Sequence, residues 1–390
     1  MLSEKSAEAV RATLPAVNGA IGEISAVFYD KLFAAHPELL RDLFNRGNQA
    51  TGEQQQALAA AIPAFASALL EHPDVPPEAM LNRIAHKHAS LGVTRDQYQV
   101  VYTHLFAAIA EVLGEAVTDD VAAAWTEVYW LMADALTSIE NHLYAETGGD
   151  TWRDCRVVGR YAETDDVVTF LVRPTDGSTL PAPRPGQYVS VQVELPDGAR
   201  QIRQYSLTST RVDAAQFAVK SVTGTPGGEV SRHLHRNVAE GDLLRISAPF
   251  GDVTLDEGDG PVLLASAGIG GTPMISMLGD LAGSGSQREV VAVHADRSQS
   301  THALRADFEQ LTAKLPNAAA HVWYEAPEGE WPADRTGLVD LSDVAIPEGT
   351  TAYLCGPFPF LRAVRGQLLD RGVPASDIHY EVFGPDMWLA

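Results

Sequence analysis

Over residues 1–145 apolar positions recur three and four apart, as in "AVFYDKLFAAHPELLRDLF", "QQALAAAIPAFASALL", "YQVVYTHLFAAIAEVL" and "VAAAWTEVYWLMADALTSIENHLY". That spacing lines one face of a 3.6-residue helix and predicts helices without strands. The Pro-rich "HPDVPPEA" at 72–79 reads as a loop, and Pro76 and Pro77 suit the start of the next helix. Glycines and acids in "ETGGD" (146–150) end the pattern. From 151 to about 255 the period becomes two: "RDCRVVGRY", "VVTFLVRP", "GQYVSVQVEL", "RQYSLTST", "QFAVKSV" and "DLLRISAPF" alternate with turn residues such as "PDG" and "TPGG". These runs predict a six-stranded antiparallel β-barrel with one helical insert, "EVSRHLHRN". From 260 onward "PVLLASAG", "EVVAVHAD", "AAHVWYEA", "TAYLCGP" and "IHYEVFG" alternate with helical segments, which predicts a doubly wound parallel α/β sheet. The expected fold is multidomain: an all-α part at 1–145, a linker at 146–150, the barrel at 151–257 and the α/β part at 258–390.

Length agrees, since 390 residues exceed one typical core. A net charge of −23 argues against nucleic acid or an anionic membrane as partner, while leaving small anionic ligands open. Two cysteines, Cys155 and Cys355, make neither a disulfide framework nor a zinc ligand set and fit a reducing cytoplasm. The first residues lack the continuous apolar run of a secretory signal, and no run reaches the length of a membrane span. A soluble cytoplasmic monomer is expected.

Three stretches carry candidate chemistry. "RIAHKHASLGV" (83–93) sets His86 and His88 two positions apart on a helix, roughly 200° around the axis, so the two rings cannot share a face. The inward one is either a core histidine or a metal ligand. "SAGIGGTPMISML" (266–278) follows an apolar strand and opens a helix; Gly268 and Gly270 let the backbone approach a pyrophosphate, and the helix N-terminus favours the anion. The third glycine of the usual dinucleotide fingerprint is missing, so a plain tight turn is the alternative. "RQYSL" (203–207) places a cation, an amide, an aromatic ring and a hydroxyl on one strand; Arg203 suits a phosphate, and Tyr205 and Ser206 suit a flavin ring. By itself it also fits the polar face of an ordinary strand.

Taken in order with "RPGQYVSV", "YLCGP" and "YEVFGP", these motifs resemble the ferredoxin–NADP reductase superfamily over about 151–385. The resemblance implies FAD on the barrel, touched by Tyr188, Arg203, Gln204, Tyr205 and Ser206, with its phosphates at the helix start Gly228, Val230 and Ser231. It implies NADH or NADPH at Gly268, Ile269, Gly270, Gly271, Thr272 and Pro273, with Cys355, Gly356 and Pro357 beside the nicotinamide. Phe383 is implied to cover the flavin face, with Glu381, Val382, Gly384 and Pro385 around it; Val382 stands where relatives often carry cysteine. Asp296, Arg297 and Ser298 in "HADRSQS" leave the choice between NADH and NADPH open.

The helical part resembles a globin, and its "FYDKLFAAHPEL", "NQATGEQQQALAAAI", "IAHKHASLGV" and "SIENHLY" follow the bacterial flavohemoglobin pattern. The whole chain to about Pro385 is thereby similar to a flavohemoglobin. The resemblance implies haem b with His88 as iron ligand, and Tyr98 and Glu140 as a relay behind it that makes the imidazole more electron-donating. It places Tyr29 and Gln54 over the oxygen, Phe44 and Leu58 around the ring, and Lys87 and Glu381 among the catalytic residues. Pro63, five positions after Leu58, removes a backbone hydrogen bond at about 3 kcal/mol unless the helix bends, which bears on the distal pocket.

The implied activity is an NAD(P)H-dependent nitric oxide dioxygenase acting on the small molecules O2 and NO, with electrons passing from NAD(P)H to FAD to haem. A haem-based O2 or NO binding or sensing protein with its own reductase, and a flavin reductase for external acceptors, are the alternatives.

Overall fold

In the first helix the stripe Val10, Val17, Ile24, Phe28 and Leu32, all buried, is the helical periodicity of the sequence made into a core face. The computed structural model that shows it describes residues 2–149, 151–224 and 227–384, apart from the Glu53 side chain. The helical part runs through α1 (Glu4–Ala35), α2 (Pro37–Asp42), α3 (Arg46–Thr51), α4 (Glu53–Glu71), α5 (Glu78–Leu91), α6 (Arg95–Leu113) and α7 (Asp119–Glu146). Ser3 caps α1, Asn45 caps α3 and Thr118 caps α7, each side-chain oxygen taking an otherwise orphaned first-turn N–H. Gly92 ends α5 at φ 75°, a left-handed turn that a β-carbon would strain, four residues after His88. Helix α4 continues through Pro63 rather than stopping there, although proline has no N–H to give the helix.

The second half begins with β1 (Trp152–Thr164), β2 (Val167–Pro174), β3 (Tyr188–Glu194), β4 (Arg200–Ser206), β5 (Ala215–Lys220), α8 (Glu229–Asn237) and β6 (Leu243–Ser247). The strands form a six-stranded sheet in the order β4-β3-β6-β1-β2-β5, with β2 antiparallel to both β1 and β5. On β1 the side chains of Cys155 and Val157 turn inward between exposed neighbours, the period of two that alternating sequence demands. There follow β7 (Val262–Ala267), α9 (Gly271–Gly283), β8 (Val290–Asp296), α10 (Arg305–Lys314), β9 (Ala318–Tyr324), β10 (Thr351–Cys355), α11 (Phe358–Asp370) and β11 (Ile378–Glu381). Their sheet, β11-β10-β7-β8-β9, is parallel, and β7 and β8 are buried almost end to end because helices cover both faces.

By their contacts the residues fall into two compact units. One is the chain to Trp152 together with Gln192–Arg203, the hairpin formed by the ends of β3 and β4; the other is Arg153–Val191 with Gln204–Gly384. Within the second unit one apolar cluster joins Val167, Ala218, Val253 and Leu255 to Val262, Met274, Met277 and Leu278, so the two sheets share a core. Arg288, almost fully buried, holds Asp256 at 2.9 Å in the segment between the sheets.

Candidate functional site

In the helical unit, α5 carries His88, α6 carries Tyr98 and α7 carries Glu140, and packing brings the three together. His88 Nδ1 lies 2.8 Å from the Tyr98 hydroxyl and 2.9 Å from Glu140 Oε1, and the same hydroxyl donates to Glu140 Oε1. Burial, reinforced by the Glu140 charge, pushes the Tyr98 phenol far above its usual range, so it stays protonated and its proton faces the carboxylate. The carboxylate, 1% exposed, then takes the Nδ1 proton of His88 as its second bond. That assigns the imidazole tautomer and leaves Nε2 as the basic nitrogen free to ligate, the arrangement that suits a metal-binding histidine. Tyr129 donates to the Tyr98 carbonyl at 2.6 Å, and Tyr144 to the Val93 carbonyl at 2.7 Å, which braces the turn after α5. His86, two positions earlier on the same helix, is half-buried.

Tyr29 sits on α1 in an aromatic cluster: Phe28 at 4.7 Å, Phe33 at 5.6 Å and Phe44 edge-on at 5.9 Å between ring centroids. Leu58 and Ile62 of α4 pack against the same cluster. Burial raises the Tyr29 pKa well beyond the usual phenol value, although the Gln54 and Gln49 side chains oppose the rise. The phenol is therefore a proton donor at any working pH. Gln49 was not among the residues that sequence reasoning selected. Its buried Nε2 adjoins the Tyr29 hydroxyl but makes no well-formed hydrogen bond among the described residues, so this amide still has donor capacity to satisfy. No local motif marks it, because its value arises from α3 folding back toward α1.

On the flavin side, β4 holds Arg203 to Ser206 in sequence. Arg203 donates to the Ile202 carbonyl at 2.7 Å. Gln204 Nε2 donates to Ser190 Oγ at 2.9 Å, Tyr205 stacks on Phe217 at 5.6 Å, and Ser206 is buried. Tyr188 is also buried; a β-carbon on Gly251 would stand 3.2 Å from its ring. Helix α8 starts at Gly228, where a β-carbon would run into Ser231 Oγ and the Val222 side chain. Val230 and Ser231 are buried in its first turn, and the Val222 N–H donates to Ser231 Oγ at 3.2 Å. Bare backbone at a helix start is what a phosphate needs.

At the C-terminal ends of the parallel strands, Gly268–Gly270 form a tight turn before α9, with Gly268 at φ 54°. A β-carbon on Gly270 would collide with the Cys355 carbonyl, and one on Gly356 would stand 3.1 Å from the Ala267 β-carbon. The loops after β7 and β10 therefore touch through glycine, at the place where strand order reverses and nucleotides bind in such sheets. Ile269 is half-buried, Gly271 opens α9, the Thr272 hydroxyl caps the turn through the Ile269 carbonyl at 3.0 Å, and Pro273 is buried. Pro357 caps α11, and Cys355 is a thiol pushed far up by burial. Burial works to raise the Asp296 pKa, but bonds from His294 and Thr301 outweigh it and hold the carboxylate ionised at the end of β8.

The described residues place Lys87 half-buried on α5 and Glu381 half-buried opposite Cys355 on β11. Phe383 is half-exposed and Val382 and Gly384 are partly buried; Pro385 lies outside the described residues. If the resemblance assigns the residues rightly, Arg203→Ala or Ser206→Ala lowers the FAD content or slows flavin reduction with haem content unchanged, because both residues lie on β4 and the His88 cluster lies on α5, α6 and α7. Absorbance ratios after gel filtration check this expectation; joint loss of both absorbances from a folded variant contradicts it.

The sequence matches the family description "Globin" over residues 26–136 and "Oxidoreductase NAD-binding domain" over 264–366. It is 43% identical to the flavohemoprotein of Chromobacterium violaceum over 98% of each chain, and 40% identical to that of Rhizobium meliloti over the full length of both. The flavohemoglobin of Malassezia yamatoensis, solved with bound FAD and heme, superposes with a TM-score of 0.92 at 38% identity, covering 98% of this chain and 100% of that one. The FAD/NAD binding domain of the nitric oxide dioxygenase from Vibrio cholerae matches 60% of this chain and all of its own at 36% identity, TM-score 0.56.

Proposed function

Because this chain belongs to the flavohemoprotein family, we propose that it is an NAD(P)H-driven nitric oxide dioxygenase holding haem b and FAD. The observation that carries the reading is the His88–Tyr98–Glu140 cluster, which sets an imidazole for iron on the same chain as the flavin strand and the nucleotide turn. When bound, the flavin converts a two-electron hydride into single electrons and the haem iron supplies the site for O2. Glu140 accepts from His88 Nδ1 and orients the imidazole, so that Nε2 would be the nitrogen offered to the metal. Tyr29 and Gln54 supply hydrogen bonds to a partly negative diatomic ligand, and Phe44 and Leu58 exclude water around it. Arg203, Gln204, Tyr205 and Ser206 orient the flavin. The turn Gly268–Pro273 cradles the pyrophosphate, and Gly356 and Pro357 shape the nicotinamide subsite.

In net terms two NO, two O2 and one NADH give two nitrates, NAD+ and one proton. The test is nitrate formed against NADH consumed under NO and air. A ratio near about two supports the dioxygenase, since each NO takes one electron. NADH consumption without nitrate assigns the chain to flavin reduction for outside acceptors. No turnover, with NO and O2 merely bound, assigns it to binding or sensing.

A further inference from the structure

We propose that Gln201 is a positioning residue that couples flavin occupancy at Arg203 to the turn carrying Phe44, and so to the distal side of the haem pocket. The proposal rests on the reading of the chain as a haem- and flavin-holding oxidoreductase. Gln201 lies on β4, two residues before Arg203, and is fully buried. Its Nε2 donates toward the carbonyls of Arg41 at 3.0 Å, Phe44 at 3.1 Å and Leu40 at 3.2 Å. Its Oε1 accepts from the Arg46 N–H at 3.2 Å and from Arg203 Nη1 at 3.3 Å.

The chemistry explains the residue. Helix α2 ends at Asp42 and α3 begins at Arg46, so the break leaves carbonyls on one side and an N–H on the other without helical partners. One side chain meets both only if its tip both donates and accepts, which an amide does and a carboxylate or a methyl-ended chain does not. Two N–H groups serve three carbonyls, so the amide is saturated and its orientation is set. The bridges Arg200–Asp42 at 2.7 Å and Arg46–Asp197 at 2.6 Å flank this contact, but each has a partner largely in solvent and contributes little. Gln201 is the buried member of the set.

What it positions is functional. The break contains Phe44, whose ring packs on Tyr29 and, at 5.3 Å, on Phe33. Arg203 is also near α3: a β-carbon on Gly47 would lie 3.9 Å from its Nη2. A flavin that engages the Arg203 guanidinium changes the share of Gln201 Oε1 left for the Arg46 N–H. The amide then shifts the balance of bonds on the turn. Because binding couplings are reciprocal, the state of the haem ligand must alter flavin affinity by the same factor.

The test uses full-length haem protein, stripped of FAD and then titrated with it, with CO as the haem probe. In wild type, FAD shifts the C–O stretching band, and CO saturation changes the FAD dissociation constant by about fivefold or more, the lower end of ordinary coupling. In Gln201→Met, which keeps volume but neither donates nor accepts in this way, both effects vanish while haem and FAD still bind. A side chain that merely stabilises the fold would lower the melting temperature and leave the coupling intact. Should Gln201→Met not fold, Gln201→Leu provides the same reading, since it likewise has neither a donor nor an acceptor. A folded variant that retains the wild-type coupling, or a wild type with none, overturns the inference. Absence of haem or flavin absorbance in wild type overturns the functional reading instead.

Discussion

Replacing His88 with alanine is expected to abolish stable haem binding, whereas His86→Ala retains it. The two residues share a helix, similar chemistry and near-identical sequence context, so the pair controls for folding and for loss of an imidazole as such. What separates them is the Tyr98–Glu140 cluster, which engages His88 Nδ1 at 2.8 and 2.9 Å and holds Nε2 as the basic nitrogen. Removing the ring takes away the imidazole and leaves a carboxylate that is 1% exposed with the Tyr98 phenol as its partner. An uncompensated buried acceptor costs about 1–3 kcal/mol, more when charged, so some loss of stability accompanies the loss of haem. Haem per protein after gel filtration, with FAD content as the internal control, is the measurement. Equal haem loss in both variants would assign the ligand wrongly.

The second large effect concerns Tyr29→Phe, where the oxygen dissociation rate of the ferrous protein should rise about ten- to a hundredfold. The hydroxyl is buried and its pKa lies far above the usual phenol value, so it is a donor and not an anion under working conditions. A hydrogen bond to a charged acceptor contributes about 1.5–3 kcal/mol, and about 1.4 kcal/mol corresponds to a decade. Phenylalanine preserves the contacts with Phe28, Phe33 and Phe44, so packing is retained and the donor alone is removed. Flavin reduction by NADH should be unaffected. Stopped-flow O2 release within about twofold of wild type would remove Tyr29 from the role and transfer it to Gln54 or Gln49, whose amides adjoin the same hydroxyl.

Much of the architecture is legible because its causes are local. Apolar residues at helical spacing in α1, α4, α6 and α7 can bury a stripe only as helices, and alternation in β1 can bury one face only as a strand. The near-continuous burial of β7 and β8 likewise follows from apolar runs that have no polar face to present to water. The nucleotide turn is legible for the same kind of reason: glycine there answers a backbone requirement, and the β-carbon clash of Gly270 with Cys355 is that requirement seen in space. Pro63 shows the limit of local reasoning. Its cost is predictable, yet α4 continues through it, because packing along a 19-residue helix can outweigh one missing bond.

The sequence by itself determined the helical, antiparallel and parallel segments and the glycine turns. Those are properties of short windows, where period and side-chain chemistry act directly on the backbone. The family resemblance implied Tyr98 and Glu140 behind His88, but no local pattern does, since they lie 10 and 52 positions from it; the packing of α5, α6 and α7 is what brings both to Nδ1. Gln49 reads as one more polar residue in "NQATGEQQQ" until the fold of α3 buries its amide beside Tyr29. Gln201 is equally unmarked in "RQIRQYS": its worth comes from carbonyls some 160 positions earlier that a broken helix leaves unpaired. A hydrogen bond carries no pattern along the chain, only a demand for a partner within about 3 Å, and which residues satisfy that demand is settled when distant segments pack.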